Sequence, residues 1–500
     1  MSEVKKILLC TINAKFVHAS LGLRYLYANL HELQNKTEMV EYHLKQSENG
    51  IVEDILKRDP LIVGIGVYIW NIELVERIVP KLQKLKPDLK IILGGPEVSH
   101  GEISFEKVTI LKGEADQLFY QTCKKQLDGH ETNLHKDQPD LLSINLPYEY
   151  YDEEDIKNRI IYVESSRGCV FKCEFCLSSL DERIRRFDLD QFLEEMKLLL
   201  DKGCRIFKFV DRTFNMKIKD SLRILNFFLD HMKDDLFVHF EMIPDHFPDE
   251  LKEVTKKFPV GSLQFEIGLQ SFTPVVLENI SRKMKMEKVY ENLEFLTNQT
   301  QAHLHTDLIV GLPGETTESF EDSFNTLYQF KPHEIQVGIL KRLKGAPVIR
   351  HTDNYEMIYE EKAPFEILQT RDIPFQQMQN LKRFARYIEI FYNHRPMHKA
   401  LDLLIQQQNQ NAFQFFMNFG NWIWEKYEQE HAIGLKFKCE LLFQYAAIIG
   451  VNQAAFIDAL ADDFMDPHSN PDQSQKSLPE FLRKAVDQIR REISKIKANQ

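Results

Sequence analysis

The 500-residue sequence holds seven cysteines, too few and too scattered for the disulfide framework of a secreted scaffold. Four of them, Cys10, Cys123, Cys204 and Cys439, stand alone and read as buried or inert thiols. Long hydrophobic runs are missing as well. The longest, such as Leu61 to Trp70, contain glycines and are too short to span a bilayer, so no membrane segment is expected. The first residues, Met1-Ser-Glu-Val-Lys-Lys, lack a signal-peptide layout, and the expectation is a cytoplasmic protein. Nor is there an excess of positive charge. The net charge of −12 argues against the broad basic face of a nucleic-acid binder. Arg183, Arg185 and Arg186 form a small local cluster that reads as a salt-bridged turn or as a substrate or phosphate contact.

What is present is organised around Glu164-Ser-Ser-Arg-Gly-Cys169-Val-Phe-Lys-Cys173-Glu-Phe-Cys176. Each iron of a [4Fe–4S] cluster wants a thiolate, so three cysteines leave one iron open. An open metal position is what a catalytic site keeps for its ligand. A structural zinc site would want a fourth Cys or His in a second pair, and none lies nearby. The C-x3-C-x2-C spacing, the preceding Arg-Gly and Phe175 resemble the radical S-adenosylmethionine (SAM) family. That resemblance implies that Cys169, Cys173 and Cys176 hold the cluster, that its open iron binds the amino and carboxylate groups of SAM, and that reductive cleavage yields a 5′-deoxyadenosyl radical.

Upstream, strand-like runs alternate with helical patterns: Ile7–Ile12, a helix from Leu21 to about Leu33, Val40–Leu44, Leu61–Val67, a helix over Ile72–Leu85, then Lys90–Leu93 and Val108–Leu111. This alternation predicts a doubly wound parallel sheet, which binds ligands at the carboxyl ends of its strands. Glycines stand at those ends. Gly64-Ile-Gly-Val-Tyr-Ile-Trp70-Asn71, Gly94-Gly-Pro-Glu-Val-Ser99 and Gly113-Glu-Ala-Asp116 resemble the cobalamin-binding domain that precedes many radical SAM cores. The resemblance implies cobalamin contacts from Tyr68, Trp70, Asn71, Gly94, Gly95, Glu97, Gly113 and Glu114. It departs from the best-known cobalamin domains in lacking Asp-x-His-x-x-Gly. His18 is present without that aspartate or spacing, which implies cobalamin held without a histidine ligand.

The domain organisation follows: 1–130 a cobalamin-binding-like domain, 131–158 a polar, acidic and exposed linker, 159–345 the radical SAM core, and 346–500 a helical C-terminal domain. In the core, strand-like runs at Ile160–Glu164, Arg205–Asp211, Val238–Met242, Ser262–Leu269, His303–Val310 and Glu334–Leu340 fit a partial (β/α)6 TIM-type barrel, with its site at the strand carboxyl ends. By resemblance Glu241 takes the SAM ammonium and Arg282 its carboxylate. Gln270 and Asp307 take the ribose, Phe175, Ile309 and Val337 flank the adenine, and Asp211 belongs to the same set. The Gly311-Leu-Pro-Gly-Glu315 turn shapes the adenine slot.

Beyond residue 345 the strand pattern ends. Phe375–Tyr392 reads as a helix, Asn411–Tyr427 is rich in Phe and Trp, and Ser477-Leu-Pro-Glu480 reads as a capping box. This all-helical domain resembles the uncharacterised extension of some cobalamin-type radical SAM proteins. Two roles are open to it: a lid over the barrel, or a packing and dimerisation module. The whole pattern implies a cobalamin-dependent radical SAM enzyme, a methyltransferase acting on an unactivated carbon of a small-molecule or peptide substrate. It would use a [4Fe–4S] cluster, SAM and cobalamin, and a reductant such as flavodoxin or ferredoxin. Radical rearrangement or cyclisation without methyl transfer is the alternative, and a non-catalytic cobalamin- or SAM-binding sensor a third. A methylthiotransferase is disfavoured, because Cys10 and Cys123 supply no second cluster.

Overall fold

The computed structural model describes residues 6–101, 105–130, 138–181, 183–393, 397–407, 409, 411–465, 479–484 and 486–487. The expected helix break at 394–396, the polar stretch beyond 465 and the first half of the capping box at Ser477 lie outside these residues.

Two parallel sheets follow one another along the chain. The first has the order Thr37–His43, Ile7–Asn13, Ile62–Gly66, Lys90–Gly94, Val108–Ile110. The strand order reverses beside Ile7–Asn13, which opens a crevice at the carboxyl edge. Ile7–Asn13 is buried at all seven positions because helices cover both faces of this sheet. One cover is the helix Ile72–Leu85, which turns Ile72, Val75, Ile78, Val79 and Leu82 inward at three- and four-residue steps.

The second sheet takes Ile161–Val163, Ile206–Phe209, Phe237–Met242, Leu263–Gln270, His303–Val310 and Glu334–Ile339 in chain order, all parallel. Its burial alternates. Leu263, Phe265, Ile267 and Leu269 are buried, as are Leu304, Thr306, Leu308 and Val310. The intervening Gln264, Glu266 and Gly268, and His303, His305 and Asp307, point to the opposite face. The period-two pleat therefore delivers carboxylates and imidazoles to the inside of a partial barrel, with Gly268 in register with Asp307.

Of the segment expected as an exposed linker, the described part, 138–158, is a packed strap. Leu141, Ile144, Leu146, Tyr148 and Tyr151 are buried in the barrel core. The Tyr148 hydroxyl accepts from Glu164 N at 3.1 Å and donates to its carbonyl at 3.0 Å. Buried Asp155 pairs with Arg24 of the first domain, and Arg24 with Glu41 at 2.7 Å. The acidic run that suggested solvent supplies the counter-charges for Arg24 and Arg159.

The C-terminal region is not wholly helical. A small antiparallel ribbon joins Ile358–Tyr359 to Ile367–Gln369 before the helices Phe375–Ile388, Ala412–Tyr427 and Leu435–Ile448. The predicted helix to Tyr392 ends in a π-turn over Glu389–Asn393. There the Asn393 amide pairs with both backbone groups of Ile335 at 2.9 Å and so blunts the barrel's edge strand. The aromatic stripe is core: Phe384 meets Phe324 of the barrel at 4.9 Å and Phe413 at 4.8 Å. Among the described residues, no helix is long and apolar enough to cross a membrane.

Candidate cofactor site

The cysteine loop leaves the first barrel strand through a two-residue ribbon, Ser166–Arg167 against Arg185–Arg186. Gly168 follows at φ +91°, where a Cβ would collide with the Arg183 carbonyl, so the Arg-Gly step requires glycine. Cys169 N donates to Asp181 O at 3.1 Å and Cys176 N to Cys173 O at 3.1 Å. These turns bring Cys169, Cys173 and Cys176 to the wall of one cavity of about 230 Å³. Among the described residues, no three His, Cys, Asp or Glu side chains converge as a single ion would need. The thiols instead border a space, as a cluster with one iron per thiolate requires.

Glu174, inside the loop, is buried and gathers two other segments, 280–281 and 348–351. Its carboxylate accepts from Ser281 Oγ, from Arg350 and from His351. Its backbone adds Glu174 N to Ile280 O at 3.1 Å and Val348 N to Glu174 O at 2.9 Å.

Of the residues the sequence assigned to SAM, Phe175, Glu241, Gln270, Arg282 and Asp307 line the cavity with the cysteines. Gln270 sits at φ +73° in a register shift of its strand, a strained position that turns its side chain into this space. Three polar atoms of this wall, Gln270 Oε1, Asp307 Oδ1 and Arg282 Nε, are buried without a hydrogen-bond partner. Orphaned donors and acceptors around one cavity are the mark of a polar ligand site, and SAM has the hydroxyls and charges to meet them. Burial and the neighbouring Glu266 and Glu241 push the Asp307 carboxyl well up. Glu266, against the pull of burial, is held down to about 2 by His239, which bonds it at 3.0 Å, and by Lys208.

Asp211, Ile309 and Val337 are not part of this wall. The Asp211 carboxylate is spent on Ser165 N at 3.0 Å and on the hydroxyls of Ser165 and Ser166 at 2.6 Å, fixing the start of the cysteine loop. Ile309 and Val337 pack half-buried against the barrel core on the last two strands. Glu315 folds back to accept from Gly311 N at 3.1 Å, closing the Gly-Leu-Pro-Gly-Glu turn. Arg212 was missed by the sequence reading. It lines the cavity, and its Nη1 reaches both oxygens of Glu241 at 3.0 and 3.1 Å. The signal was its place just past the second strand's carboxyl end.

In the first domain, Tyr68, Gly94, Gly95, Gly113 and Glu114 line a cavity of about 210 Å³ at the strand ends. A Cβ on Gly94 would meet nothing closer than 3.9 Å, so the space beside it is open to a ligand. Gly95, at φ +109°, lies against the Val67 backbone. The other three assigned residues do different work. Trp70 stacks on Tyr68 at 4.5 Å and donates to Ile12 O at 3.0 Å. Asn71 is buried, donates to Ile12 O and Gly66 O at 3.0 Å and accepts from Tyr68 N, locking the turn. Glu97 faces Lys344 of the barrel at 3.4 Å. His18 bonds the Tyr162 hydroxyl at 2.7 Å and lies outside this lining.

The two sites adjoin. A further cavity has Gly95, Ser99, Gly113 and Glu114 on one side and Leu177, Asp181 and Arg183 on the other, and it shares Ser178 and Arg212 with the cysteine cavity. Arg167, two residues before Cys169, spans the junction, donating to Glu114 and Asp116 at 2.8 Å and to Glu164 at 2.9 Å. Arg185 also pairs with Glu114. Of the basic cluster expected near the loop, Arg185 and Arg186 are thus salt-bridged, the latter to Asp220 at 3.5 Å.

Comparison with known proteins agrees with this layout. The B12 binding domain model matches residues 7–119, the Radical SAM superfamily model residues 163–327, and the model "Protein of unknown function (DUF4080)" residues 353–500. The ribosomal protein uS12 methylthiotransferase RimO of a Nitratiruptor species is 26% identical over 235 residues, 44% of this chain and 52% of that one. A probable threonylcarbamoyladenosine tRNA methylthiotransferase of Archaeoglobus fulgidus is 25% identical over 265 residues, 51% of this chain and 59% of that one. The chain thus spans little more than half the length of these relatives. The methyltransferase TsrM from Kitasatospora setae, solved with tryptophan and a SAM analogue, superimposes with TM-score 0.57 at 15% identity over 69% of this chain and 75% of that one. The cobalamin-dependent enzyme OxsB, solved with aqua-cobalamin and SAM, does so with TM-score 0.59 at 12% identity over 98% and 84%. At these identities the likeness is one of fold. The chain thus sets a B12 binding domain against a radical SAM barrel that carries the cysteine triad, the domain pairing of the cobalamin-binding radical SAM proteins, with a [4Fe–4S] cluster, SAM and cobalamin as the cofactors of those domains.

Proposed function

We propose that this enzyme is a methyltransferase that acts on an unactivated carbon. The reading rests on one observation: a cavity between the two sites shares Ser178 and Arg212 with the cysteine cavity and Gly95, Gly113 and Glu114 with the cavity at the first sheet's glycine ends. A substrate at that junction faces both cofactor sites. When bound, the cluster supplies one-electron cleavage of SAM, and cobalamin supplies methyl carriage. The protein's own share is to bind and orient. Cys169, Cys173 and Cys176 hold the cluster, while Glu241, Gln270 and Asp307 position SAM by charge and hydrogen bonds. The open strand-end glycines admit the corrin. The Arg167 bridge fixes the distance between the two halves of the site.

Methylthio transfer, the activity named for the curated relatives, is not favoured. It would call for a further set of thiolates. Cys10, Cys123, Cys204 and Cys439 are single and buried, and burial pushes each thiol up to about 12. A flavodoxin- or ferredoxin-type donor is proposed to supply the electron.

The test is an anaerobic cofactor and product inventory of the reconstituted protein. Mass spectrometry and visible absorbance should find iron, sulfide and a corrin. Turnover with a substrate pool should release S-adenosylhomocysteine together with 5′-deoxyadenosine. Release of 5′-deoxyadenosine alone would point to rearrangement or cyclisation instead.

A further inference from the structure

The ribbon and loop from 166 to 186 hold Arg167, Arg183, Arg185 and Arg186. Three of them have carboxylate partners. Arg167 pairs with Glu114, Asp116 and Glu164, Arg185 with Glu114 and Asp181, and Arg186 with Asp220. Arg183 is the exception. It is exposed, and its guanidinium has no ion pair or hydrogen bond among the described residues. Its main chain is nonetheless fixed. The Arg183 carbonyl lies where a Cβ on Gly168 would stand, so the backbone is seated against the residue before Cys169. Two residues earlier, Asp181 O accepts from Cys169 N at 3.1 Å. An arginine held at the backbone and unpaired at the head is set to take an anion from outside the chain.

The space it lines has the matching chemistry. Arg183 is part of the wall of the junction cavity, about 560 Å³ between the two cofactor sites. Arg212 is part of the same wall. Its Nη1 serves both oxygens of Glu241, while Nε and Nη2 meet no acceptor among the described residues. Glu114 and Asp181 also line this cavity, but both are already matched. Glu114 accepts from Arg167 at 2.8 Å and from Arg185, and Asp181 accepts from Arg185 at 3.0 Å. The unmatched charge of the wall is therefore positive. Leu177, Leu180 and Pro96 give it an apolar side. A guanidinium grips the oxygens of a carboxylate or a phosphate through parallel N–H groups, which is the recognition this wall offers.

We propose that the substrate is an anion, an organic acid or a phosphate ester, whose oxygens are held by Arg183 with Arg212 as the second donor. Its apolar body then lies along Leu177 and Leu180, between the cluster side and the corrin side. This rests on the reading that the substrate occupies the junction, and it narrows that reading: neutral or cationic molecules of the same shape are poor substrates.

Two measurements on the cluster-reconstituted full-length protein test it. The first needs no turnover. Fluorine NMR reads the binding of 4-fluorobenzoate, 4-fluorophenyl phosphate and, as the neutral match, 4-fluorobenzamide. At least one of the two anions should bind about fivefold or more tightly than the amide. Arg183→Gln should weaken that anion about five- to thirtyfold, less than for a fully buried pair because Arg183 is exposed. Arg183→Lys, which keeps the charge and loses the fork, should fall between. Arg186→Gln, which removes a cation already paired with Asp220, should leave all three probes unchanged. Circular dichroism and cluster absorbance confirm that each variant is folded and loaded. The second measurement divides the substrate pool on an anion exchanger at neutral pH. Release of S-adenosylhomocysteine together with 5′-deoxyadenosine should follow the retained fraction. Phosphatase should abolish it if the anion is a phosphate, and esterification if it is a carboxylate. The proposal is overturned if the three probes bind alike, if Arg183→Gln binds them as the wild type does, or if turnover follows the unretained fraction. Turnover in no fraction would overturn the methyltransferase reading instead, while the first measurement still decides the anion site.

Discussion

Arg282 Nη1 lies 3.2 Å from Cys173 Sγ, a cationic donor against one of the three sulfurs proposed to hold the cluster. Hydrogen bonds to cluster sulfurs and nearby positive charge favour the reduced, more negative state. Arg282→Gln is therefore expected to lower the cluster's midpoint potential. A charge-assisted bond worth roughly 1.5–3 kcal/mol corresponds to roughly 60–130 mV for one electron. Redox titration followed by electron paramagnetic resonance, without SAM, reads the shift. An unchanged potential would mean that the contact does not survive in the loaded protein.

Glu174 is 3% exposed and joins the cysteine loop to Ser281, Arg350 and His351. Glu174→Ala leaves those donors facing an empty site. The expected cost is about 3 kcal/mol, toward the lower end for breaking a buried pair because Arg350 itself is largely exposed. Iron content per chain should fall along with the urea midpoint. Full iron loading in the variant would show that the loop holds its shape unaided.

Glu164 gives a pH signature. Burial raises its pKa to about 7, against a smaller opposing pull from Arg167. A carboxyl whose folded pKa lies above its unfolded value stabilises the fold at low pH, and that contribution fades as pH rises through the interval. The stability of the wild type minus that of Glu164→Gln should therefore decline between about pH 4.5 and 7, by up to about 3 kcal/mol. Thermal melts of both proteins across that range measure it; parallel curves would contradict it.

Gly94 and Gly95 separate ligand space from backbone strain. Alanine at Gly94 meets open space in the free protein, so Gly94→Ala should melt as the wild type does yet retain little corrin on purification. Alanine at Gly95 would run into the Val67 carbonyl at a positive φ, so Gly95→Ala should lower the melting temperature as well. Visible absorbance at a fixed protein concentration reports the corrin.

Much of this was legible in the chain. Ile72–Leu85 and His303–Val310 match their sequence-derived bounds residue for residue, because a 3.6-residue or two-residue apolar period needs no partner to be read. That Cys169, Cys173 and Cys176 come to one cavity wall was legible because their spacing is local. What was hidden is long-range. Tyr148 and Asp155 look like an acidic surface run until Glu164 and Arg24 are seen beside them. Asp211 has a ligand-binding residue's place at a strand end, but Ser165 and Ser166 claim its oxygens. Arg212 is an ordinary exposed arginine until Glu241, 29 residues on, is folded against it. The π-turn at Glu389–Asn393 likewise depends on the open edge at Ile335.

Of the two roles open to the C-terminal region, the lid is not what the packing provides: no residue after Asp307 lines the cysteine cavity among the described residues. Phe320 and Phe324 of the barrel instead interleave with Phe384 and Phe413 in one continuous core. Barrel and C-terminal helices should therefore melt as a single cooperative unit, in one calorimetric transition. A protease nick or a stop codon near residue 350 would then produce an aggregating fragment rather than a smaller enzyme.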